Sequence, residues 1–256
     1  MLNNLHFSEL LRLIDERSTA FRAAIAAAPD LDVQVPTCPE WTLYDLVQHL
    51  GVGRRAWAAT VAAGATATGK AEPLGDPVAP TEREALDAWL AESTRLLLDA
   101  LTDAGEDGPC WGWWGKSQTP LTVYGAARRQ LHEIAVHTYD AQLAAGAPQP
   151  VPVEIALDGA EEFLCTIGTT TEAWPHEAAV VDYHATEGRS WRSLLSEQGS
   201  RLGAVPADAP EPADATAAGP ANELLLALYG RIPFDTLKLE GQRILFDQLF
   251  EWDPER

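Results

Sequence analysis

Apolar residues recur every three to four positions through the first part of the chain, the period of helices that bury one face. Leu10, Leu11, Ile14, Phe21 and Ile25 place a helix over Phe7 to Ala28. Pro36-Thr37-Cys38-Pro39-Glu40 then holds the backbone extended, because a residue preceding proline avoids the helical region. Thr42-Leu43-Tyr44-Asp45 has the spacing of a capping box, which predicts a second helix from about Leu43 to Ala63, with Trp41 placed to staple against Leu46. Ala65 to Pro80 is rich in Gly, Pro, Ala and Thr and reads as a loop. Thr81-Glu82-Arg83-Glu84 repeats the capping pattern and opens a third helix through Trp89, Leu96 and Leu97 to about Ala104. Trp111, Trp113 and Trp114 sit among glycines between Gly105 and Thr119. Pro120 suits the first turn of a fourth helix, which runs to about Ala145 and stops at Gly146. Four long helices joined by loops predict an antiparallel bundle.

The pattern changes after Ala147-Pro148-Gln149-Pro150-Val151-Pro152, and a domain boundary is placed there, between residues 1–148 and 149–256. Val153 to Ile167 reads as a helix, and Ala178 to Ala185 alternates like a strand with Trp191 to Leu195 as its partner. Pro206 to Pro212 is a Pro/Ala/acidic loop, and Ala213 to Ala217 is a further strand candidate. Pro220 to Tyr229 forms a helix stopped by Gly230. Thr236 to Leu239, a turn at Gly241 and a helix through Phe250 complete a small α+β domain.

Composition narrows the functional classes. The chain has 256 residues, 18 basic against 38 acidic, a net charge of −20, 46% apolar residues and nine Trp. That is ample apolar material for a core, which argues against disorder. The negative charge disfavours nucleic acid and anionic membrane partners. No apolar run reaches the roughly 18–20 residues of a membrane span. Met1-Leu2-Asn3-Asn4 has no basic region of the kind that opens a signal peptide. Cys38, Cys110 and Cys165 are odd in number and widely spaced, which suits a reducing, cytoplasmic setting.

The strongest chemical signal is His132-Glu133-Ile134-Ala135-Val136-His137 in the fourth helix. Glu133 and His137 are four apart and project from one helical face, whereas His132 points about 100° away. Alone, such a pair is more commonly a helical salt bridge or a partly exposed hydrogen bond than a ligand pair. His49 lies on the core-facing stripe Leu46, His49, Leu50, Gly53 of the second helix, where a lone histidine is commonly a hydrogen-bonded core residue. Brought opposite each other, the two helices would assemble a His/Glu/His set suited to a divalent metal with an open position.

Longer stretches carry a resemblance. "VPTCPEWTLYDLVQHLG" (Val35 to Gly51) and "ARRQLHEIAVHTYDAQLAAG" (Ala127 to Gly146) resemble the two metal-site motifs of the mycothiol-dependent maleylpyruvate isomerase family. "GPANELLLALYGRIPFDTLKLEG" (Gly219 to Gly241) resembles its C-terminal-domain signature. The resemblance implies an α+β protein: an N-terminal DinB-like four-helix bundle followed by a small α/β domain similar to sterol-carrier folds, with the active site in the cleft between them. It implies His49, Glu133 and His137 as ligands of Zn²⁺ or another divalent metal, and mycothiol as co-substrate. It also implies that Arg231 faces the metal and grips a substrate carboxylate, although an arginine after a helix end equally complements the helix C-terminus.

Other residues divide between site and scaffold. Arg128 and Arg129 read as surface or ion-pair residues. Asp140 reads as part of a solvated helix face, or else as a residue orienting a ligand histidine. The three clustered tryptophans form either a wall over the metal or packing, Trp57 reads as core, and Cys38, Cys110, His176 and His184 read as structural. The resulting expectation is a zinc- and mycothiol-dependent isomerase or S-transferase acting on a small electrophile. The alternatives are a non-catalytic module binding metal, thiol or a small apolar ligand, and a purely structural hydrogen-bonded cluster.

Overall fold

The computed structural model describes residues 5–205 and 212–252. It resolves into two compact units, Met1–Trp113 with Leu121–Val151, and Trp114–Pro120 with Pro152–Arg256. No helix among the described residues is long and apolar enough to cross a membrane.

The first unit is the helical one. It contains α1 (Phe7–Ala27), α2 (Leu43–Ala63), α3 (Arg83–Ala104) and α4 (Val123–Ala144), with α1 packed mainly on α4 and α2 on α3. Phe21, Leu43, Leu46, Leu50, Leu86, Leu90 and Ile134 share one buried cluster drawn from all four helices. The capping box at α2 forms as read: Thr42 Oγ1 accepts from the Asp45 amide and Asp45 accepts from the Thr42 amide. Gly146 follows α4 with φ +77°, and its amide and that of Ala147 return to Leu143 and Gln142, closing the helix end as a left-handed stop.

Two helix starts differ from expectation. Glu82, not Thr81, caps α3, because its longer carboxylate reaches the amides of Glu84 and Ala85 together. Pro120 lies ahead of α4, whose cap is the Thr122 hydroxyl. The extended approach to α2 closes into a hairpin, β1 (Gln34–Val35) with β2 (Cys38–Thr42), held by the Gln34 side chain donating to the carbonyls of Pro39 and Trp41.

The second unit carries a five-stranded mixed sheet in the order β5-β4-β3-β6-β7. Its strands are β3 (Ala179–Ala185), β4 (Ser190–Ser196), β5 (Gly199–Ala204), β6 (Ala215–Gly219) and β7 (Lys238–Gly241). All pairs are antiparallel except β3 with β6. Helices α5 (Val153–Thr166), α6 (Ala221–Leu228) and α7 (Ile244–Glu251) accompany it, so this half is α+β as expected. The β3–β4 register is pinned by Arg192, whose Nε and Nη2 both donate to the opposing Asp182 at 2.7 Å. Strand β6 lies two residues beyond the expected segment. β7 starts after Thr236 and ends at Gly241, and the Pro206-to-Pro212 loop falls largely outside the described residues. Strand β5, built from Gly, Ser and Ala around Arg201 and Leu202, has no apolar alternation to announce it.

Two glycines on α2 test the packing of the bundle. A Cβ on Gly51 would lie 1.9 Å from the buried Trp89 ring, whereas one on Gly53 would meet nothing within 4 Å. Gly51→Ala is expected to destabilise the protein by about 1–3 kcal/mol through overpacking. Gly53→Ala should stabilise it by about 0.5–1 kcal/mol through helix propensity. Urea unfolding of the two variants checks the opposite signs.

Candidate metal centre

The two facing helices bring together the residues that the sequence paired. His49 Nε2 lies 3.1 Å from Glu133 Oε1, and His137 Nε2 lies 3.4 Å from the same oxygen. One ligand atom from each of the three residues falls within 4.8 Å of the others. The imidazoles meet edge to face, with ring centroids 5.2 Å apart. His49 and Glu133 side chains are 39% and 27% exposed, so the convergence point is open to small molecules, while His137 at 9% anchors it from inside.

Each ligand-type side chain is held from behind. His137 turns Nδ1 to Asp140 Oδ2 at 2.8 Å, which directs Nε2 at Glu133. Asp140 is fully buried, and the Thr37 hydroxyl donates to its other oxygen at 2.6 Å. The solvated-face reading of Asp140 is therefore overturned: it is the residue that orients His137. Arg129 is buried too and donates from Nη2 to Glu133 Oε2 at 2.9 Å, leaving Oε1 toward the histidines. Arg128 shares that burial, so neither arginine belongs to the surface, and Arg129 is an ion-pair residue as the sequence allowed. The Trp41 ring stacks obliquely over His49 at 4.7 Å and lies 6.3 Å from His137.

Electrostatics follow from this packing. Burial opposes the Glu133 charge, but hydrogen bonds from His137 and His49 and the positive charges of His137 and Arg129 outweigh it. The carboxyl is held well below its usual range. Burial likewise disfavours a charged His137, yet the bonds to Asp140 and Glu133 prevail and raise it.

The donor set fits a divalent cation. Tetrahedral coordination with bonds of about 2.0–2.2 Å separates donors by about 3.3–3.6 Å. The His–Glu contacts of 3.1 and 3.4 Å are close to that spacing. Two imidazoles and a carboxylate, with a buried carboxylate behind one imidazole, are the ligand chemistry of a catalytic zinc site that keeps one position open.

Of the other residues weighed, His132 is fully buried within α4 and is not among the converging ligand atoms. Trp57 is core, and Trp111 packs against it at 6.1 Å between ring centroids. Trp113 is 42% exposed, and Trp114 is buried. His176 meets the Trp174 ring edge to face, and His184 pairs with Ser190. Arg231 follows α6, where its amide returns to Leu226 and its Nη1 donates to the Tyr229 carbonyl at 2.9 Å, complementing the helix end.

Comparison with known proteins places these motifs in context. Residues 11–142 match the family model described as the mycothiol maleylpyruvate isomerase N-terminal domain, and residues 154–248 match that of its C-terminal domain. A solved structure of a mycothiol-dependent maleylpyruvate isomerase aligns over 92% of this chain and 93% of its own, at TM-score 0.59 and 13% identity. A histidine-to-alanine mutant of the same enzyme aligns over the same shares at TM-score 0.57 and 14% identity. At these identities the likeness is one of fold. No curated protein matches the chain significantly.

Cys110 offers a check that no thiol of the bundle interior is a nucleophile. It is 3% exposed, and burial pushes its thiol up to about 11. At pH 7.5 Cys110 is expected to resist iodoacetamide in the folded protein and to react once urea unfolds it, as peptide mass mapping would show.

Proposed function

Because the chain belongs to the mycothiol maleylpyruvate isomerase family, we propose that it is a zinc-dependent enzyme that uses mycothiol to attack a small electrophilic alkene. Addition of the thiol sulfur to a cis double bond leaves a single bond, and rotation followed by expulsion of the same thiol gives the trans isomer. The thiol is regenerated and no oxidant or reductant is consumed. Protonation of the adduct's carbanion in place of expulsion leaves a thioether, which is S-transfer. Isomerisation of maleylpyruvate, the reaction named for the structural relative, is the first activity to assay.

The observation that carries this reading is the convergence of His49 Nε2, Glu133 Oε1 and His137 Nε2 at one open point. A divalent cation held there would supply the charge that turns a thiol of ordinary pKa near 8.5 into a thiolate at neutral pH. The residues around the point prepare it. Asp140 accepts from Nδ1 of His137, so that a cation displacing the proton from Nε2 would find that nitrogen already aimed at it. Thr37 fixes Asp140, and Arg129 holds the outer oxygen of Glu133. Trp41 covers the His49 ring and shields that side from water. Arg231 is assigned to the substrate's carboxylate, for which a guanidinium is a bidentate match.

The purified protein is expected to carry about one divalent ion per chain, and the His49→Ala/Glu133→Ala/His137→Ala variant none. Asp140→Ala should weaken metal affinity about 10–100-fold while leaving the ligand set in place. Turnover of maleylpyruvate should require mycothiol and fail after chelation. Equal turnover without thiol, or unchanged metal in the triple variant, would overturn the reading.

Arg231→Ala is expected to lower kcat/KM about ten- to hundredfold, the worth of a charged hydrogen-bonded contact. Its melting temperature should barely move, since no core volume is lost. A large drop in melting temperature matching the loss of activity would make Arg231 structural instead.

A further inference from the structure

The second unit contains a cavity that the thiol chemistry does not use. It lies between the β3–β4 face of the sheet and helices α5 and α7, with about 660 Å³ of space between protein atoms, part of it open to solvent. Phe163, Phe234, Phe246 and Trp252 supply aromatic walls, and Ile167 and Phe250, 41% and 54% exposed, mark its mouth. Among the described residues, no charged side chain lines it.

Two polar groups interrupt this apolar surface. Tyr183 on β3 and Ser193 on β4 each line the cavity and are each only 4% exposed. The strand register pairs Val181 with Ser193 and Tyr183 with Trp191, so the two residues are diagonal neighbours on one face of the sheet. Among the described residues neither hydroxyl has a hydrogen-bond partner, although most buried polar side chains find one. Burial alone pushes the Tyr183 phenol above its ordinary range, so at neutral pH it remains a hydrogen-bond donor.

We propose that this cavity is a binding site for a neutral aromatic or alicyclic molecule bearing one carbonyl or hydroxyl oxygen, which Tyr183 and Ser193 hold at the floor. The walls supply apolar contact and the two hydroxyls the orientation, the composition of small-molecule sites in general. A carboxylate is excluded as the polar end, because it would be buried with no cation beside it. Every lining residue belongs to the second unit, so the site stands independently of the metal centre.

Calorimetric titration of the full chain with naphthalene, 2-acetylnaphthalene and 2-naphthoate tests this. The ketone should bind about two- to tenfold more tightly than naphthalene, the worth of a net hydrogen bond. The naphthoate should bind at least tenfold more weakly than the ketone. In Tyr183→Phe/Ser193→Ala the ketone's advantage should vanish while naphthalene binds as before. Ser193→Phe, which fills the floor, should abolish all binding, with circular dichroism confirming that it folds. Absence of binding by any of the three probes, equal affinity for ketone and hydrocarbon, or a ketone advantage that survives the double variant would overturn the site.

Discussion

The bundle is organised around the need to compensate polar groups inside α4. That helix buries Arg128, Arg129, Gln130, His132, His137 and Asp140, and an uncompensated buried charge costs several kcal/mol. Compensation fixes directions. Asp140 takes Nδ1 of His137 and the Thr37 hydroxyl, and Arg129 takes one oxygen of Glu133. What remains, Nε2 of His137 and Oε1 of Glu133, points at the place that His49 reaches from α2. The same contacts that make α4 tolerable in a core thus aim its ligand atoms, so scaffold and site are one network.

This explains which parts were legible in the sequence. The α2 capping box and the Gly146 stop depend on local chemistry and were readable to the residue. Glu133 with His137, and His49 on its stripe, were readable because helical spacing fixes which side chains share a face. Arg129, four residues before Glu133, carried the same signal. Asp140 did not declare itself, since a carboxylate three residues after a histidine reads equally as solvated. The β1–β2 hairpin, which packs on α4 and carries Trp41, delivers Thr37 to it. That hairpin is built through Pro36 and Pro39, which punctuate a sequence in a way that hides strands. Strand β5 was lost for a related reason: its small residues give no apolar alternation, and its pairing with β4 is set by the sheet.

The two units present chemically different surfaces. The first gathers imidazole, carboxylate and guanidinium groups at an exposed point suited to a cation and an anionic sulfur. The second offers a partly open aromatic cavity with two hydroxyls and, among the described residues, no charge, and at the end of α6 an arginine placed by a left-handed helix stop at Gly230. Family membership by itself names a thiol and an isomerase. The orientation network around Glu133 and His137 supports the metal site proposed for this chain, because it aims one atom of each residue at the point that His49 reaches.

The most direct measurement is the optical spectrum of the Co²⁺-loaded protein during titration with mycothiol. Tetrahedral Co²⁺ held by His49, Glu133 and His137 should show intense visible bands. Mycothiol should add a sulfur-to-cobalt charge-transfer band in the near ultraviolet that saturates at one thiol per metal. The band should be absent from His49→Ala. A weak six-coordinate spectrum that mycothiol leaves unchanged would contradict an open, thiol-binding metal centre.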